Sequence, residues 1–145
     1  MILFDVNVLV YAHREDSRDH VGFRDYFEEM LNGRAAYGYS ELVLSGFVRV
    51  VTHPKVFEQP TTLDVALDVV NLIRGQPQAI PVRPGSRHWA IFEDLVRTTS
   101  AQGNWVPDAY HAALAIESGC NWITTDRGFR RFRGLRARHP LGKVL

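Results

Sequence analysis

Four carboxylates stand where this chain switches between strand and helix patterns. Asp5 closes the apolar run Ile2-Leu3-Phe4, Glu41 follows Ser40 in the first turn of a helix, Asp108 follows Pro107 at another helix start, and Asp126 ends Ile123-Thr124-Thr125. Each has a structural explanation when taken singly. Asp5 suits a turn, Asp126 suits an N-cap, and Glu41 and Asp108 complement helix dipoles, worth roughly 0.3–1 kcal/mol each. Gathered on one rim, however, they would repel one another unless a cation neutralised them. Oxygen donors suit Mg2+ or Mn2+, which keep several waters and accept a substrate phosphate. Hydrolysis of a phosphodiester is the natural chemistry, with one metal, or two about 3.5–4 Å apart, activating water and offsetting charge on the departing oxygen.

The elements that must position these acids follow from hydrophobic pattern. Ile2 to Phe4 reads as a buried strand because consecutive residues are apolar, as in a parallel sheet covered on both faces. A short helix is expected from Val8 to His13, then a polar loop, then a helix from about His20 with Phe23, Phe27 and Leu31 on its buried face. Ala35 to Tyr39 is a weak strand, and Ser40 is placed to cap a helix bearing Leu42, Val43, Phe47, Val50 and Val51 that His53-Pro54 ends. Further helices are expected over Thr62 to Arg74, around Trp89, Phe92, Leu95 and Val96, and from Pro107 to Ile116 with Gly119 beyond the end. Strands fit Ala79 to Val82, Asn121 to Thr125 and, weakly, Leu135 to Arg138. Alternation of this kind predicts an α/β fold with a mainly parallel sheet between helical layers. On such a sheet, strand carboxyl ends and the following helix starts share the ligand rim.

At 145 residues, 46% hydrophobic and 23% charged, the chain fits one globular domain spanning 1–145. No run approaches the roughly 18 apolar residues of a membrane span, and the first residues lack signal-peptide features, so no membrane association and a cytoplasmic location are expected. Cys120 is the single cysteine, which leaves no internal disulfide and no thiolate cluster. The net charge of +1 conceals a basic carboxyl end, where Arg127, Arg130, Arg131, Arg133, Arg136, Arg138 and Lys143 accompany Asp126 as the lone acid. Such a patch attracts a polyanion by counterion release, although a solvated surface is the commoner meaning of a charge run.

Four segments carry a family resemblance: Leu3-Phe4-Asp5-Val6-Asn7, Ser40-Glu41-Leu42, Pro107-Asp108-Ala109-Tyr110-His111-Ala112-Ala113-Leu114-Ala115, and Ile123-Thr124-Thr125-Asp126-Arg127-Gly128-Phe129. In that order they resemble the successive motifs of PIN-domain ribonucleases, and within that family most resemble VapC toxins of type II toxin-antitoxin modules. The resemblance implies a three-layer α/β/α PIN fold and a metal-dependent endoribonuclease leaving 5′-phosphate and 3′-hydroxyl ends. It implies Asp5, Glu41, Asp108 and Asp126 as catalytic metal ligands for Mg2+ or Mn2+, with Asn7 and Thr124 as polar residues beside the first and last acids. It also implies a homodimer and a VapB-type antitoxin whose tail enters the acidic site. Arg127, Arg130 and Arg131 follow Asp126 so closely that they are expected along the RNA backbone.

Two positions depart from the family's pattern. Many members carry an acid where this chain has Gly128, and in many the second acid falls nearer Gly46, although Glu41 is the only acid between Glu29 and Glu58. Other residues have plainer readings. His111 is expected as a helix residue satisfied by a neighbour, and Phe23, Phe27, Phe47, Trp89 and Phe92 as core or dimer surface. Trp105 is the aromatic placed nearest the expected site. Aspartate-nucleophile phosphohydrolases also begin with a strand ending in Asp, but they need a second Asp where Asn7 stands. Receiver domains need adjacent acids after the first strand. The remaining alternatives are a non-catalytic RNA-binding PIN module and a housekeeping RNA-processing nuclease.

Overall fold

Three apolar residues are enough for the first strand, β1 (Ile2–Phe4), because both faces are covered: Leu3 and Phe4 are buried. The computed structural model describes residues 1–145 and continues through α1 (Val6–His13), α2 (His20–Asn32), β2 (Tyr37–Tyr39) and α3 (Glu41–Val51). Next come α4 (Leu63–Arg74), β3 (Ala79–Pro81), α5 (His88–Thr99), α6 (Trp105–Ser118) and β4 (Asn121–Ile123), then a 3-10 turn over Arg127–Arg131 and β5 (Ala137–Arg138). All expected helices and strands are present with edges shifted by a few residues. At the site's first acid, α1 starts immediately after Asp5 rather than at Val8.

Every hydrogen-bonded strand pair is parallel, with β4 between β1 and β5 and with β2 beside β3. The order is therefore β3-β2 and β1-β4-β5, and β2 meets β1 through packing rather than a ladder. Gly38 makes this possible: a Cβ there would lie 2.9 Å from Leu3 Cδ2 and 3.2 Å from the Ile2 carbonyl. From β1 the chain moves to one side for β2 and β3, then crosses to the other side for β4 and β5. Strand order reverses beside β1, the place where open α/β sheets bind ligands.

The strands lie between helices in a three-layer α/β/α arrangement, with α1 packed on α2 and α3, α3 on α4, and α5 on α6. One core of 27 apolar residues joins them, including Leu3, Val8, Phe47, Ile73, the alanines of α6, Trp122 and Phe129. Small side chains let α6 approach closely, since Ala109, Ala112, Ala113 and Ala115 are each fully buried. Truncating a buried aromatic such as Phe47 to Ala would cost about 3–5 kcal/mol. No helix is long and apolar enough to cross a membrane.

Local signals behave unequally. Thr62 caps α4 by accepting from the Val65 N–H at 3.4 Å, and Asp126 caps the 3-10 turn by accepting from the Gly128 N–H at 2.6 Å. Ser40 stands at the N-cap of α3 but makes no side-chain cap bond, because it is buried at the end of β2.

Candidate active site

The site forms where β1 and β4 end together. The ladder continues one step past β1, since the Asp5 N–H donates to the Ile123 carbonyl at 2.8 Å, and this fixes Asp5 beside Thr124. Thr124 is fully buried, and its hydroxyl donates to Asp5 Oδ2 at 2.6 Å while accepting the Asp126 N–H at 3.0 Å. One threonine therefore ties two acids. Asn7, in the first turn of α1, donates from Nδ2 to the same Asp5 oxygen at 2.9 Å, and the same nitrogen lies 3.5 Å from the Thr124 hydroxyl. Asn7 and Thr124 both lie against the Asp5 carboxylate, and Thr124 is the more central of the two.

Asp108 enters from the amino end of α6, half-buried, and Asp126 from the exposed turn after β4. Both lie near enough for their charges to act on Asp5. Burial pushes the Asp5 carboxyl up to about 6, the Thr124 hydroxyl and Val6 N–H oppose that rise, and the charges of Asp108 and Asp126 add to it. Burial also raises Asp108, Asp126 raises it further, and the Arg131 guanidinium pulls it down. Like-charged carboxylates thus share a partly desolvated rim.

Glu41 lies elsewhere. Its Oε1 is 3.4 Å from Arg74 Nη2 and 3.3 Å from Arg83 Nη2, and its side chain is half-exposed. The structure does not bring it to the other three acids. α3 begins at the end of β2, where Arg83 after β3 and Arg74 at the end of α4 meet the carboxylate. Position 46 offers no acid in its place, and a Cβ there would stand 2.9 Å from Val6 Cγ2.

The donors on this rim suit a hard divalent cation. Asp5, Asp108, Asp126 and Thr124 present oxygens, and Asn7 Oδ1 is a buried oxygen with no hydrogen-bond partner. As they stand, no three acidic, histidine or cysteine side chains converge tightly enough to coordinate one ion.

The three arginines expected to face RNA have different surroundings. Arg127 is exposed, Arg130 donates to the Leu145 carbonyl at 2.9 Å, and Arg131 lays its guanidinium carbon 3.4 Å from the centre of the Trp105 ring. The stack on Trp105 was not anticipated, and only the proximity of both residues to acids hinted at it. His111 also differs from expectation. Its ring stacks on Trp122 at 5.5 Å with Nδ1 unpartnered, and burial, with a smaller contribution from His88, pushes its pKa down to about 4. It is a neutral packing group and belongs to the α6–β4 contact.

Comparison with known proteins agrees with this geometry. The PIN domain family matches residues 2–135. The chain belongs to the VapC ribonucleases of the PIN-domain family. It is 46% identical over 141 residues to a VapC ribonuclease of Mycobacterium bovis, covering 97% of this chain and 96% of that protein. Ribonuclease VapC25 of Mycobacterium tuberculosis is 35% identical over 140 residues, covering 97% of this chain and 99% of that protein. Among solved structures, a chain of VapBC2 from Rickettsia felis, determined bound to a DNA fragment from their promoter, superposes with a TM-score of 0.66 at 17% identity, covering 96% of this chain and 98% of that chain. Family membership is set by the sequence relatives, and the structural likeness concerns the fold.

Proposed function

We propose that this chain, acting as one domain, is an endoribonuclease toxin that hydrolyses RNA at the rim shared by β1, β4 and α6. One observation carries the reading: on a partly buried rim Thr124 bonds the Asp5 carboxylate and the Asp126 N–H, and the charges of Asp108 and Asp126 bear on Asp5. Such an arrangement is costly unless a cation is meant to enter. Asp5, Asp108 and Asp126 would hold Mg2+ or Mn2+, with Asn7 and Thr124 orienting the Asp5 carboxylate. Glu41 is left out of this set because two arginines already meet its charge. When bound, the ion supplies Lewis acidity that acidifies water and offsets charge gathering on the phosphate. Arg127, Arg130 and Arg131 would follow the RNA backbone, which supplies affinity and little sequence choice.

A VapB-type antitoxin restrains the enzyme by placing its tail at the acidic rim, the protein pairs as a homodimer through apolar helix surfaces, and it acts in the cytoplasm. The antitoxin reading is supported by the VapBC2 structure that shares the fold. The decisive experiment incubates purified protein with end-labelled RNA, with and without Mg2+ or Mn2+. Cleavage only with metal, leaving 5′-phosphate and 3′-hydroxyl ends, is the expected result. Cleavage undiminished in excess chelator would remove the metal from the mechanism.

A further inference from the structure

We propose that Arg131 is a catalytic residue of this site, its guanidinium held flat against Trp105 so that its free edge binds the phosphate being cut, with Trp105 as the positioning residue. This rests on the nuclease reading above and deepens it.

Stacking at 3.4 Å on Trp105, with the Phe132 ring 5.9 Å away, orients a long side chain that would otherwise be mobile. Gly128 leaves room for the guanidinium as placed: a Cβ there would lie 2.9 Å from Arg131 Nη2 and 2.9 Å from Asp126 Oδ1. Arg131 thereby sits beside Asp126, and its charge bears on Asp108. Yet it makes no ion pair. Arg14, Arg24, Arg74, Arg83 and Arg97 each have a carboxylate within reach, whereas Arg131 has none and its buried Nη1 has no hydrogen-bond partner.

A guanidinium used only to fasten the turn to α6 would satisfy that donor with a carbonyl, as Arg130 does with Leu145. The Nε and Nη2 of Arg131 make no hydrogen bond either, and only Nη1 is buried, so the Nε–Nη2 edge of a preordered guanidinium is open to the paired oxygens of a phosphate. In the reaction, a water oxygen bonds to phosphorus as the P–O3′ bond breaks, and a proton from water ends on the 3′ oxygen. Arg131 keeps its own protons and offsets the charge that grows on the non-bridging oxygens.

The test is single-turnover cleavage of a 5′-labelled single-stranded RNA with Mn2+, alongside RNA affinity in chelator and Mn2+ affinity by calorimetry. Arg131→Lys should slow the saturated rate by about 100-fold, as loss of one transition-state donor does, while metal-free RNA binding weakens by less and Mn2+ binding is not weakened. Trp105→Ala should give an intermediate loss, Trp105→Phe should recover most of the rate, and Arg97→Gln should match the parent. The proposal is overturned if Arg131→Lys and Arg131→Gln retain the parent rate. It is equally overturned if their rate loss is matched by lost Mn2+ binding, since Arg131 would then serve only to hold the acids. Should the Arg131 variants not fold, a parent rate in Trp105→Ala overturns it. If the parent protein cleaves no RNA, the nuclease reading falls first and takes this proposal with it.

Discussion

Two parts of the same rim treat their acids in opposite ways. On the β2–β3 side, Glu41 is half-exposed and sits between Arg74 and Arg83, so its charge is met within the protein. Between β1 and β4, Asp5 is held by a buried threonine and an asparagine, with further acids nearby and its carboxyl raised to about 6. Neutral hydrogen bonds orient Asp5 without cancelling its charge. On the proposed reading, the difference separates an acid paired within the protein from acids left for an external cation, a distinction that residue type alone does not make.

The strongest way to break this comparison is to remove charge at the β1–β4 side. Asp5→Asn and Asp108→Asn should each lower RNA cleavage by roughly 10³-fold or more while the fold remains intact, by analogy with losses on removing groups that act only in the transition state. Unchanged turnover in both would dissolve the distinction. Thr124→Val should be next, because it removes the donor to Asp5 and leaves the Asp126 N–H without its acceptor. Metal affinity measured by calorimetry should fall about 10–100-fold, as expected for a residue that orients a ligand.

Stability against pH sharpens the contrast. Asp5 has its folded pKa raised from 3.8 to about 6, so the folded state holds a proton that the unfolded chain releases between those values. Its contribution is therefore best below pH 4 and is lost as pH rises through 6, a change of at most roughly 3 kcal/mol. In chelator, urea unfolding of the parent between pH 4.5 and 7 should carry this slope, and Asp5→Asn should flatten it. The smallest effect belongs to Glu41→Gln. An exposed pair contributes about 0–1 kcal/mol, and Mn2+ affinity should stay within about threefold of the parent. A loss equal to that of Asp5→Asn would return Glu41 to the metal site.

The alternation of strands and helices was readable because each element carries its own period, from Ile2-Leu3-Phe4 to the alanine-rich face of α6. Asp5, Asp108 and Asp126 were readable for the same reason: parallel topology sends strand ends and helix starts to one rim, whatever the intervening sequence. Glu41 followed that rule in position and escaped it in partner, since Arg74 and Arg83 are 33 and 42 residues away and no local pattern announces them. Arg131 was equally hidden among its basic neighbours. Only the geometry of the 3-10 turn sends Arg130 towards Leu145 and Arg131 onto Trp105. His111 shows the remaining limit, because its spacing from Asp108 says nothing about the Trp122 ring on which it rests.

Gly38 carries a mechanical consequence. Where β2 meets β1, the strands pack closely but no amide bridges them, so the sheet consists of two hydrogen-bonded parts joined by packing. The part bearing Asp5, Thr124 and Asp126 is cross-linked by its own ladder, including the Asp5–Ile123 bond. A load applied at β3 or α4 would therefore reach the acids through side-chain packing at Gly38, without a continuous amide ladder to carry it.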